Sequence, residues 1–455
     1  MLENYSAAVQ AAIKIAKAKL GNRVQVSKGT AVYEGILMPR ISQGSPDCIV
    51  LKMDSGYNIG IKFVKGVSIE LSHTKEPAVP KVPVSESGVH EKPKFKTDSS
   101  KPTIAILHTG GTVASKVDYK TGGVASSFTP EDIIGMFPEI AEFANIKSRL
   151  VRNMWSQDMR FPHYNILAKE IEKEIRAGAR GIVITHGTDT LHITSAALSF
   201  ALENLSVPVI LAGSQRSSDR GSSDAAMNLI NAVFFAATAD FPAVGVCMHS
   251  SSSDDRCWIL PACKCRKLHS SRRDAFRPVN SYPYAFVDYR TRKIDWVSKP
   301  TKTPGPFRLK LFNEKIKVGI LRFRVNMFAS EFLFYKDYDG LIVETSGLGN
   351  LPTSEIDEFT KEHTKILKSL EELVKGGTVV ALSPLAIYGR LNLNVYENQR
   401  ALQSIGILGN FSDMTTDTSY IKLSWLLSNY PKEAKELFGK NLRGELSDRT
   451  EVFFV

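Results

Sequence analysis

The stretch GIVITHGTDTLHIT, residues 181–194, places an apolar run, a polar loop and the start of a second apolar pattern in immediate succession. The run Gly181–Thr185 is short and almost entirely apolar, which is typical of a strand buried on both faces. Leucines at positions 191, 198, 202 and 205 then predict the apolar face of a helix. A strand, a tight loop and a helix in this order indicate an α/β fold built on a parallel sheet.

The same unit recurs on both sides of this stretch. Further strands are predicted at Thr103–Leu107, Ser148–Met154, Val207–Ala212 and Ala243–Met248. Helical patterns lie between them, from Leu167 to Ile175 and from Met227 to Ala237. We therefore predict a larger domain with a mainly parallel, doubly wound sheet that helices cover on both faces. A smaller α/β domain is predicted after it, with strand-and-loop units at VGILRF, GLIVETSGLGN and GTVVALSPLAIYG.

The region ahead of residue 102 has a different pattern. Residues Leu2 to Leu20 predict one amphipathic helix, with Val9, Ile13 and Ile15 as apolar positions. Short β-rich runs with a period of two follow, which predict a small β-barrel or sandwich. A segment rich in proline, lysine and serine then predicts a linker. The predicted divisions are 1–75 for the helix and barrel, 76–101 for the linker, 102–292 for the larger domain, 293–315 for a connecting segment and 316–455 for the smaller domain.

Composition limits the class of protein. The chain has 455 residues, 43% hydrophobic and 23% charged, as expected for a soluble globular protein of two or three domains. Glu3 interrupts the amino terminus and Asp240 interrupts the most apolar stretch, so we expect neither a secretory signal nor a membrane span. Five scattered cysteines favour a reducing, cytoplasmic location. The net charge of +11 suits a polyanionic partner, although a basic surface without a partner has the same balance.

Polar residues follow four of the predicted strands at the point where each strand ends. These loops are His108–Thr112, Trp155–Asp158, His186–Thr190 and Gly213–Arg216. Ligands of open α/β sheets bind beyond the carboxyl ends of the strands. We therefore expect these loops to surround one polar pocket for a small polar substrate.

The loop at the end of the strand Gly181–Thr185 is open to three interpretations. His186, Asp189 and His192 are metal-ligand types, but their spacing does not share one helix face and no second His/Cys cluster accompanies them. A phosphate loop would hold more glycine and no carboxylate. A nucleophile fits better, because Asp189 beside Thr188 can hold a desolvated lysine that serves as base. From this loop alone, however, helix capping by Thr188 and Asp189 is the favoured explanation.

Two long motifs favour a catalytic role for Thr188 and Asp189 over helix capping. HTGGTVAS at 108–115, together with VITHGTDT at 183–190, resembles the paired signatures of the bacterial-type L-asparaginase family. SQDM at 156–159 and DMTTDTSYIKLSWLL at 413–427 resemble further stretches of the same family. The resemblance implies an asparaginase-like two-domain body that hydrolyses a side-chain carboxamide. It also implies a threonine-bound acyl intermediate, release of ammonia, and no metal or cofactor in this chain.

The resemblance also assigns catalytic roles. Thr112, which closes TGGT, matches the primary nucleophile. Thr188 and Asp189 match the second catalytic threonine and its aspartate partner. Lys267 lies where the family's lysine is expected, and Tyr119 matches the tyrosine of a lid that would close over substrate.

Substrate-binding roles follow in the same way. Ser156 and Gln157 match residues that bind the α-carboxylate and amino groups of the substrate, and Asp158 extends that stretch. Backbone N–H groups at the turn that contains Gly110 and Gly111, or near Thr188, are expected to stabilise the oxyanion of the tetrahedral intermediate.

The amino-terminal domain distinguishes the chain from ordinary asparaginases. A β domain ahead of such a body, together with KLHSSRRDAFRPVN at 267–280, is similar to the archaeal GatD family of glutamyl-tRNA(Gln) amidotransferase subunits. That resemblance implies that ammonia from glutamine passes to a GatE-like partner. The partner would hold Glu-tRNA(Gln), activate it with ATP and Mg²⁺, and complete Gln-tRNA(Gln). The resemblance also implies a homodimeric core within a heterotetramer.

Other functions stay open at this point. The chain is alternatively a free-standing cytoplasmic L-asparaginase with an accessory domain, or a tRNA-binding subunit whose amidase site has decayed. The basic cluster Lys264–Arg273 is either an active-site lysine with Arg272 and Arg273 anchored to carboxylates, which we favour, or a nucleic-acid patch. The amino-terminal domain would contact RNA, contact a partner, or only pack.

Overall fold

The structure, a computed structural model, describes residues 2–40, 45–53, 58–72, 98–111, 113, 115–117, 124–126, 137–218, 222–300 and 305–450. The amino-terminal elements are α1 (Ala7–Ile15), β1 (Arg23–Lys28), β2 (Ala31–Leu37), β3 (Cys48–Lys52), β4 (Asn58–Lys62) and β5 (Val67–Leu71). The strands pair antiparallel in the order β4-β3-β2-β1-β5. Val9 and Ile13 of α1 are buried in the core of this unit. The helix predicted from Leu2 to Leu20 is shorter, and Ile15, one of its predicted apolar positions, is 82% exposed, because two residues beyond Ile13 a helix has turned by about 200°.

The strands from residue 103 onward are β6 (Thr103–His108), β7 (Ser115–Val117), β8 (Val124–Ser126), β9 (Asn145–Leu150), β10 (Gly181–Thr185), β11 (Leu202–Glu203), β12 (Val209–Ala212), β13 (Val244–His249), β14 (Cys257–Pro261), β15 (Cys265–Lys267), β16 (Phe276–Pro278), β17 (Ala285–Asp288), β18 (Lys293–Trp296) and β19 (Arg308–Leu309). Eight of them form one sheet in the order β18-β17-β14-β13-β12-β10-β6-β9. The strands β9, β6, β10, β12 and β13 run parallel. The strands β14, β17 and β18 extend the sheet antiparallel.

The predicted parallel strands are confirmed, with some ends shifted. The strand predicted at Ser148–Met154 is β9 and stops at Leu150, because the amides of Val151 and Arg152 both turn onto the carbonyl of His108 and end the ladder. The helix predicted from the leucines at 191–205 ends at Ala201, so Leu202 lies in β11 and Leu205 beyond it. The larger sheet also extends past residue 292, since β18 pairs with β17.

Helices cover both faces of this sheet, as predicted. They are α2 (Ile140–Phe143), α3 (Phe161–Arg176), α4 (Leu191–Ala201) and α5 (Ala225–Thr238). Side chains alternate along each strand, so Ile104 and Ile106 of β6 pack in the same core as α5. Ala105 and Leu107 pack in the opposite core with α3 and α4.

A second parallel sheet follows, in agreement with the predicted smaller domain. Its strands are β20 (Val318–Arg322), β21 (Gly340–Thr345) and β22 (Val379–Pro384), and the helices are α6 (Ala329–Leu333), α7 (Lys361–Lys375), α8 (Glu397–Ser404), α9 (Thr416–Asn429) and α10 (Ala434–Phe438). The helix α9 packs back against α4, where the rings of Trp425 and Phe200 lie 5.4 Å apart. The core of the larger sheet therefore continues into the smaller domain. Within the described ranges, no helix has the length and apolar character that a membrane crossing requires.

Candidate active site

Four loops meet at the carboxyl edge of the larger sheet, and glycines let their backbones touch. A Cβ atom on Gly111, whose φ is +83°, would lie 2.4 Å from the amide nitrogen of Gly187. A Cβ on Gly187 would lie 2.8 Å from Cβ of Ser156, and one on Gly213 would lie 2.8 Å from the carbonyl oxygen of His186. Larger residues would force these loops apart, so the glycines allow the predicted pocket edge to form.

Lys267, Thr188 and Asp189 form one hydrogen-bonded group at this edge. The ammonium Nζ of Lys267 donates to Thr188 Oγ1 at 2.8 Å and to Asp189 Oδ1 at 2.7 Å. The Lys267 side chain is 10% exposed, whereas that of Asp189 is 68% exposed. The structure thus brings together residues that lie up to 79 positions apart in sequence, in the way that the motif resemblance implies.

A short hairpin carries the lysine to the loop. Lys267 ends β15, which pairs with β16 so that Lys267 faces Phe276 across the two strands. The loop that holds Thr188 and Asp189 lies between β10 and α4. The Ncap residue of α4 is Thr190, and its hydroxyl donates to the carbonyl oxygen of Ser156 at 2.7 Å instead of capping the helix. Capping is therefore not the role that the geometry gives to this loop.

Two buried histidines hold the floor of the site. His186 Nδ1 donates to the carbonyl of Gly187 at 2.7 Å, so Nε2 is left to accept from Thr194 Oγ1 at 2.9 Å. His108 joins Thr185 Oγ1 at 2.8 Å. Burial lowers the pKa of both rings to about 4, so both are neutral at pH 7. His186 is thus a structural group, while His108 was not singled out from the sequence.

The predicted substrate-binding residues form one turn beside this group. Ser156–Asp158 is a single 3₁₀ turn. Ser156 is buried against Gly187, whereas Gln157 and Asp158 are exposed. The Thr190 hydroxyl ties this turn to the loop of Thr188, which the sequence alone did not indicate.

Two predicted catalytic residues lie outside the described part of the chain. These are Thr112, the predicted nucleophile, and Tyr119, the predicted lid tyrosine. The roles of both rest on the motif resemblance. The described neighbours of Thr112, Gly110 and Gly111, have φ values of +99° and +83° and lie against Met154 and Gly187.

The arginines after Lys267 pair with carboxylates. Arg272 makes two hydrogen bonds to Asp274, from Nε at 2.8 Å and from Nη2 at 3.0 Å. Arg273 Nη1 lies 2.6 Å from Asp254. Both pairs agree with the preferred interpretation of the cluster Lys264–Arg273, in which these arginines anchor structure.

The possible metal ligands of the opening motif have other partners. Among the residues that the structure describes, no group of three or more His, Cys, Asp or Glu side chains is arranged to hold a metal ion. His192 is instead hydrogen-bonded to Asp417, from Nε2 to Oδ2 at 3.3 Å. This contact joins α4 to the smaller domain.

Comparison with known proteins defines the class of this fold and site. Family models match in three consecutive segments: the GatD N-terminal domain at residues 18–71, the Asparaginase, N-terminal domain at 103–302, and the Glutaminase/Asparaginase C-terminal domain at 317–438. The L-asparaginase from Thermococcus kodakarensis superposes with a TM-score of 0.67 at 27% identity, over 76% of this chain and 100% of that chain. The body is therefore of the asparaginase/glutaminase class.

Relatives of full length define the family within that class. GatD of Thermofilum pendens, a subunit of glutamyl-tRNA(Gln) amidotransferase, is 37% identical over 99% of this chain and 98% of its own length. GatD of Pyrococcus furiosus is 39% identical over 96% of this chain and 95% of its own length. The chain belongs to the GatD family of glutamyl-tRNA(Gln) amidotransferase subunits.

Proposed function

We propose that this chain is the glutaminase component of a tRNA-dependent amidotransferase, which hydrolyses glutamine and supplies ammonia for the conversion of Glu-tRNA(Gln) to Gln-tRNA(Gln). One observation carries the proposal: the Lys267 ammonium joins Thr188 and Asp189 in a chain that also bears the family's amino-terminal domain. The fit of the asparaginase from Thermococcus kodakarensis to 76% of the chain leaves room for that additional domain.

In the proposed reaction, Thr112 is the nucleophile and Thr188 relays protons. The Thr112 oxygen forms a bond to the side-chain carboxamide carbon of glutamine, and the C–N bond then breaks to release ammonia. The resulting acyl ester on Thr112 is hydrolysed by water, which gives glutamate and restores the hydroxyl. Glutamine and water thus yield glutamate and ammonia.

Thr188, Lys267 and Asp189 move the protons of this reaction. Lys267 is the proposed proton acceptor for Thr188 across their 2.8 Å contact, and the hydrogen bond to Asp189 holds Nζ in place. Thr188 relays protons between the lysine and the reacting groups. Asp189 orients the amine and stabilises its charged form.

The turn Ser156–Asp158 is proposed to hold the backbone groups of the glutamine. Ser156 is fixed by the close approach of Gly187 and by the hydrogen bond from Thr190 to its carbonyl. Amide N–H groups at Gly110 and Gly111 are the proposed oxyanion donors. Tyr119 is proposed to close over the bound substrate.

The partners follow from the same family. A GatE-like protein receives the ammonia and holds Glu-tRNA(Gln), and ATP and Mg²⁺ act on that partner rather than on this chain. Two copies of this chain form the core of the proposed cytoplasmic heterotetramer. The net charge of +11 favours assembly near tRNA.

Ammonia release tests the proposal. The purified chain is assayed with glutamine and with asparagine, alone and with the GatE-like protein and Glu-tRNA(Gln). We expect glutamine turnover that the partner and tRNA stimulate, and its loss in Thr112→Ala and in Thr188→Ala with complex assembly intact. Strong asparagine turnover without partner or tRNA would instead identify a free-standing L-asparaginase.

A further inference from the structure

Asp417 lies outside the proposed catalytic group, yet it contacts both elements that carry that group. Its Oδ2 accepts a hydrogen bond from His192 Nε2 at 3.3 Å, and the same oxygen lies 3.6 Å from Arg266 Nε. His192 is the second residue of α4, just after the loop of Thr188. Arg266 immediately precedes Lys267 in β15. One carboxylate therefore bridges the two halves of the Lys267–Thr188 contact.

The strand that carries Lys267 is short and lies apart from the larger sheet. The strand β15 is three residues long and, among the strands that the structure describes, pairs with β16 alone in a two-stranded sheet separate from the larger one. Successive side chains of a strand point to opposite faces, so Lys267 and Arg266 extend to different sides. Lys267 reaches Thr188 on one side, and Arg266 reaches Asp417 on the other.

The bridge is largely buried and charged. His192 is 8% exposed and the Asp417 side chain 19%. Burial alone would raise the pKa of Asp417, but the His192 hydrogen bond and the Arg266 charge hold it below its ordinary value. An ionised carboxylate only accepts, so Nε2 of His192 carries the proton. The other ring nitrogen, Nδ1, is buried without a hydrogen-bond partner among the described residues, so Asp417 provides the polar contact that orients this ring.

Asp417 is itself held by the smaller sheet. It lies in the first turn of α9, beside Thr416. Thr416 Oγ1 donates to Glu344 Oε1 at 2.7 Å and lies 3.1 Å from Ser383 Oγ. Glu344 and Ser383 belong to β21 and β22 near their carboxyl ends. The position of Asp417 is therefore set by the smaller domain.

We propose that Asp417 is a positioning residue for Lys267: it clamps α4 to β15 and thereby fixes the distance from Lys267 Nζ to Thr188 Oγ1. Its effect on rate rests on the proposed function, whereas its effect on that distance does not. A displacement of about 1 Å in a catalytic group lowers turnover by about 100-fold. Loss of the clamp should therefore lower kcat and leave the binding turn Ser156–Asp158, and hence KM, nearly unchanged.

The test compares three variants with a matched control. Asp417→Ala removes both contacts, Arg266→Met removes only the contact to β15, and Asp417→Asn keeps an acceptor for His192. Glu436→Gln is the control, since it neutralises an exposed carboxylate of α10 that pairs with Lys440. Glutamine hydrolysis by the assembled complex gives kcat and KM, thermal unfolding reports folding, and a crystal structure of Asp417→Ala gives the Nζ–Oγ1 distance.

We expect Asp417→Ala to lower kcat by about 10- to 100-fold with KM within about threefold, and to lengthen the Nζ–Oγ1 contact beyond hydrogen-bond range. Asp417→Asn and the control should stay close to the wild-type kcat, and Arg266→Met should lose about tenfold. If Asp417→Ala does not fold, the kcat of Arg266→Met tests the positioning role instead. Wild-type kcat in folded Asp417→Ala and Arg266→Met, or an unchanged Nζ–Oγ1 distance in Asp417→Ala, overturns the positioning role. An inert wild type together with a displaced Lys267 overturns the proposed function and keeps the positioning role.

Discussion

Three lysine–carboxylate pairs in this protein have nearly equal lengths but differ in their exposure to solvent. They are Lys267–Asp189 at 2.7 Å, Lys264–Asp413 at 2.7 Å and Lys422–Glu445 at 2.6 Å. The second and third are fully buried, and they join the loop after β14 and the helix α9 to the segments around Asp413 and Glu445. The first leaves its carboxylate in solvent. The same type of contact therefore stabilises the fold in one region and forms part of the candidate active site in the other.

The surrounding hydrogen bonds explain the difference. Glu445 also accepts from the amides of Leu442 and Arg443, and Asp413 also accepts from the amide of Ser447. Each of these carboxylates thus has backbone as well as lysine donors, and burial lowers the pKa of Lys264 and of Lys422. Lys264 and Lys267 each donate to a hydroxyl as well, Lys264 to Ser447 and Lys267 to Thr188, but only the carboxylate partner of Lys267 is exposed, so of the three pairs this one is open to solvent. The two pairs with a buried carboxylate therefore stabilise the fold, whereas the pair with an exposed carboxylate belongs to the candidate active site.

The largest predicted effect is on activity at the exposed pair. Lys267→Ala removes the proton-transfer group, and we expect kcat/KM for glutamine to fall by about 1000-fold or more. The melting temperature should change little, because Asp189 is already solvated. Ammonia release and thermal unfolding of the same preparation measure both. Normal turnover in this variant would remove Lys267 from the mechanism.

The converse is predicted at a buried pair. Glu445→Gln leaves the Lys422 charge buried without a counter-ion, which costs about 3–5 kcal/mol. We expect a clearly lower melting temperature and unchanged kcat for the fraction that stays folded. Replacement of both residues, as Lys422→Met with Glu445→Leu, should recover much of the loss, since an apolar pair has no unpaired charge. If Glu445→Gln alone were as stable as the wild type, the Lys422–Glu445 pair would not be one that stabilises the fold.

A smaller effect is predicted where the site depends on close backbone contact. Gly187→Ala places a Cβ 2.8 Å from Cβ of Ser156 and must displace the binding turn. We expect a loss of about 1–3 kcal/mol in stability and a raised KM for glutamine. Gly439→Ala is the matched control, because its Cβ meets nothing within 4 Å. Equal KM values in the two variants would contradict the proposed role of the Ser156 turn.

The last prediction is the pH dependence of stability, an effect that is absent at neutral pH and grows only as the pH falls below 6.5. His108 and His186 have pKa values of about 4 when folded, against 6.5 when unfolded. The unfolded chain therefore binds more protons between these values, so the histidine contribution is complete above pH 6.5 and falls as the pH drops toward 4. Each histidine adds a slope of about 1.4 kcal/mol per pH unit in that window. Melting temperatures from pH 7 to pH 4 should show a shallower fall in His186→Gln than in the wild type, and equal slopes would argue against a buried neutral His186.

The parallel core of the fold was predictable because its signal is local. Short apolar runs such as Gly181–Thr185, each followed by a helical pattern, are sufficient to indicate a strand buried between helices. The antiparallel extension by β14, β17 and β18 was not predicted as part of the larger sheet. The strand β14 is as long and as buried as Gly181–Thr185, but a strand rather than a helix follows it, and β18 alternates between exposed and half-buried positions, so no continuous apolar run marks β18.

The residues of the candidate site likewise divide into those that the sequence predicts and those that only the structure reveals. Thr188, Asp189 and Lys267 were found through motifs and the resemblance that those motifs carry, and the structure places them within hydrogen-bond distance. Asp417 was not found, because it contacts His192 from 225 positions away and no periodic pattern records such a pairing. Lys422 appears in sequence as one of several polar residues of α9, and only the fold shows that Glu445 is its partner.

Transfer of the amide nitrogen tests the central claim most directly. The chain is combined with a GatE-like protein, Glu-tRNA(Gln), ATP, Mg²⁺ and glutamine labelled with ¹⁵N in its side-chain amide, and the amino acid released from the tRNA is analysed by mass spectrometry. We predict ¹⁵N-labelled glutamine on the tRNA with the wild-type chain and none with Thr188→Ala, which should form only unlabelled glutamine when unlabelled free ammonia is added. Equal labelling with the two chains, or no labelling with the wild type, would contradict the account.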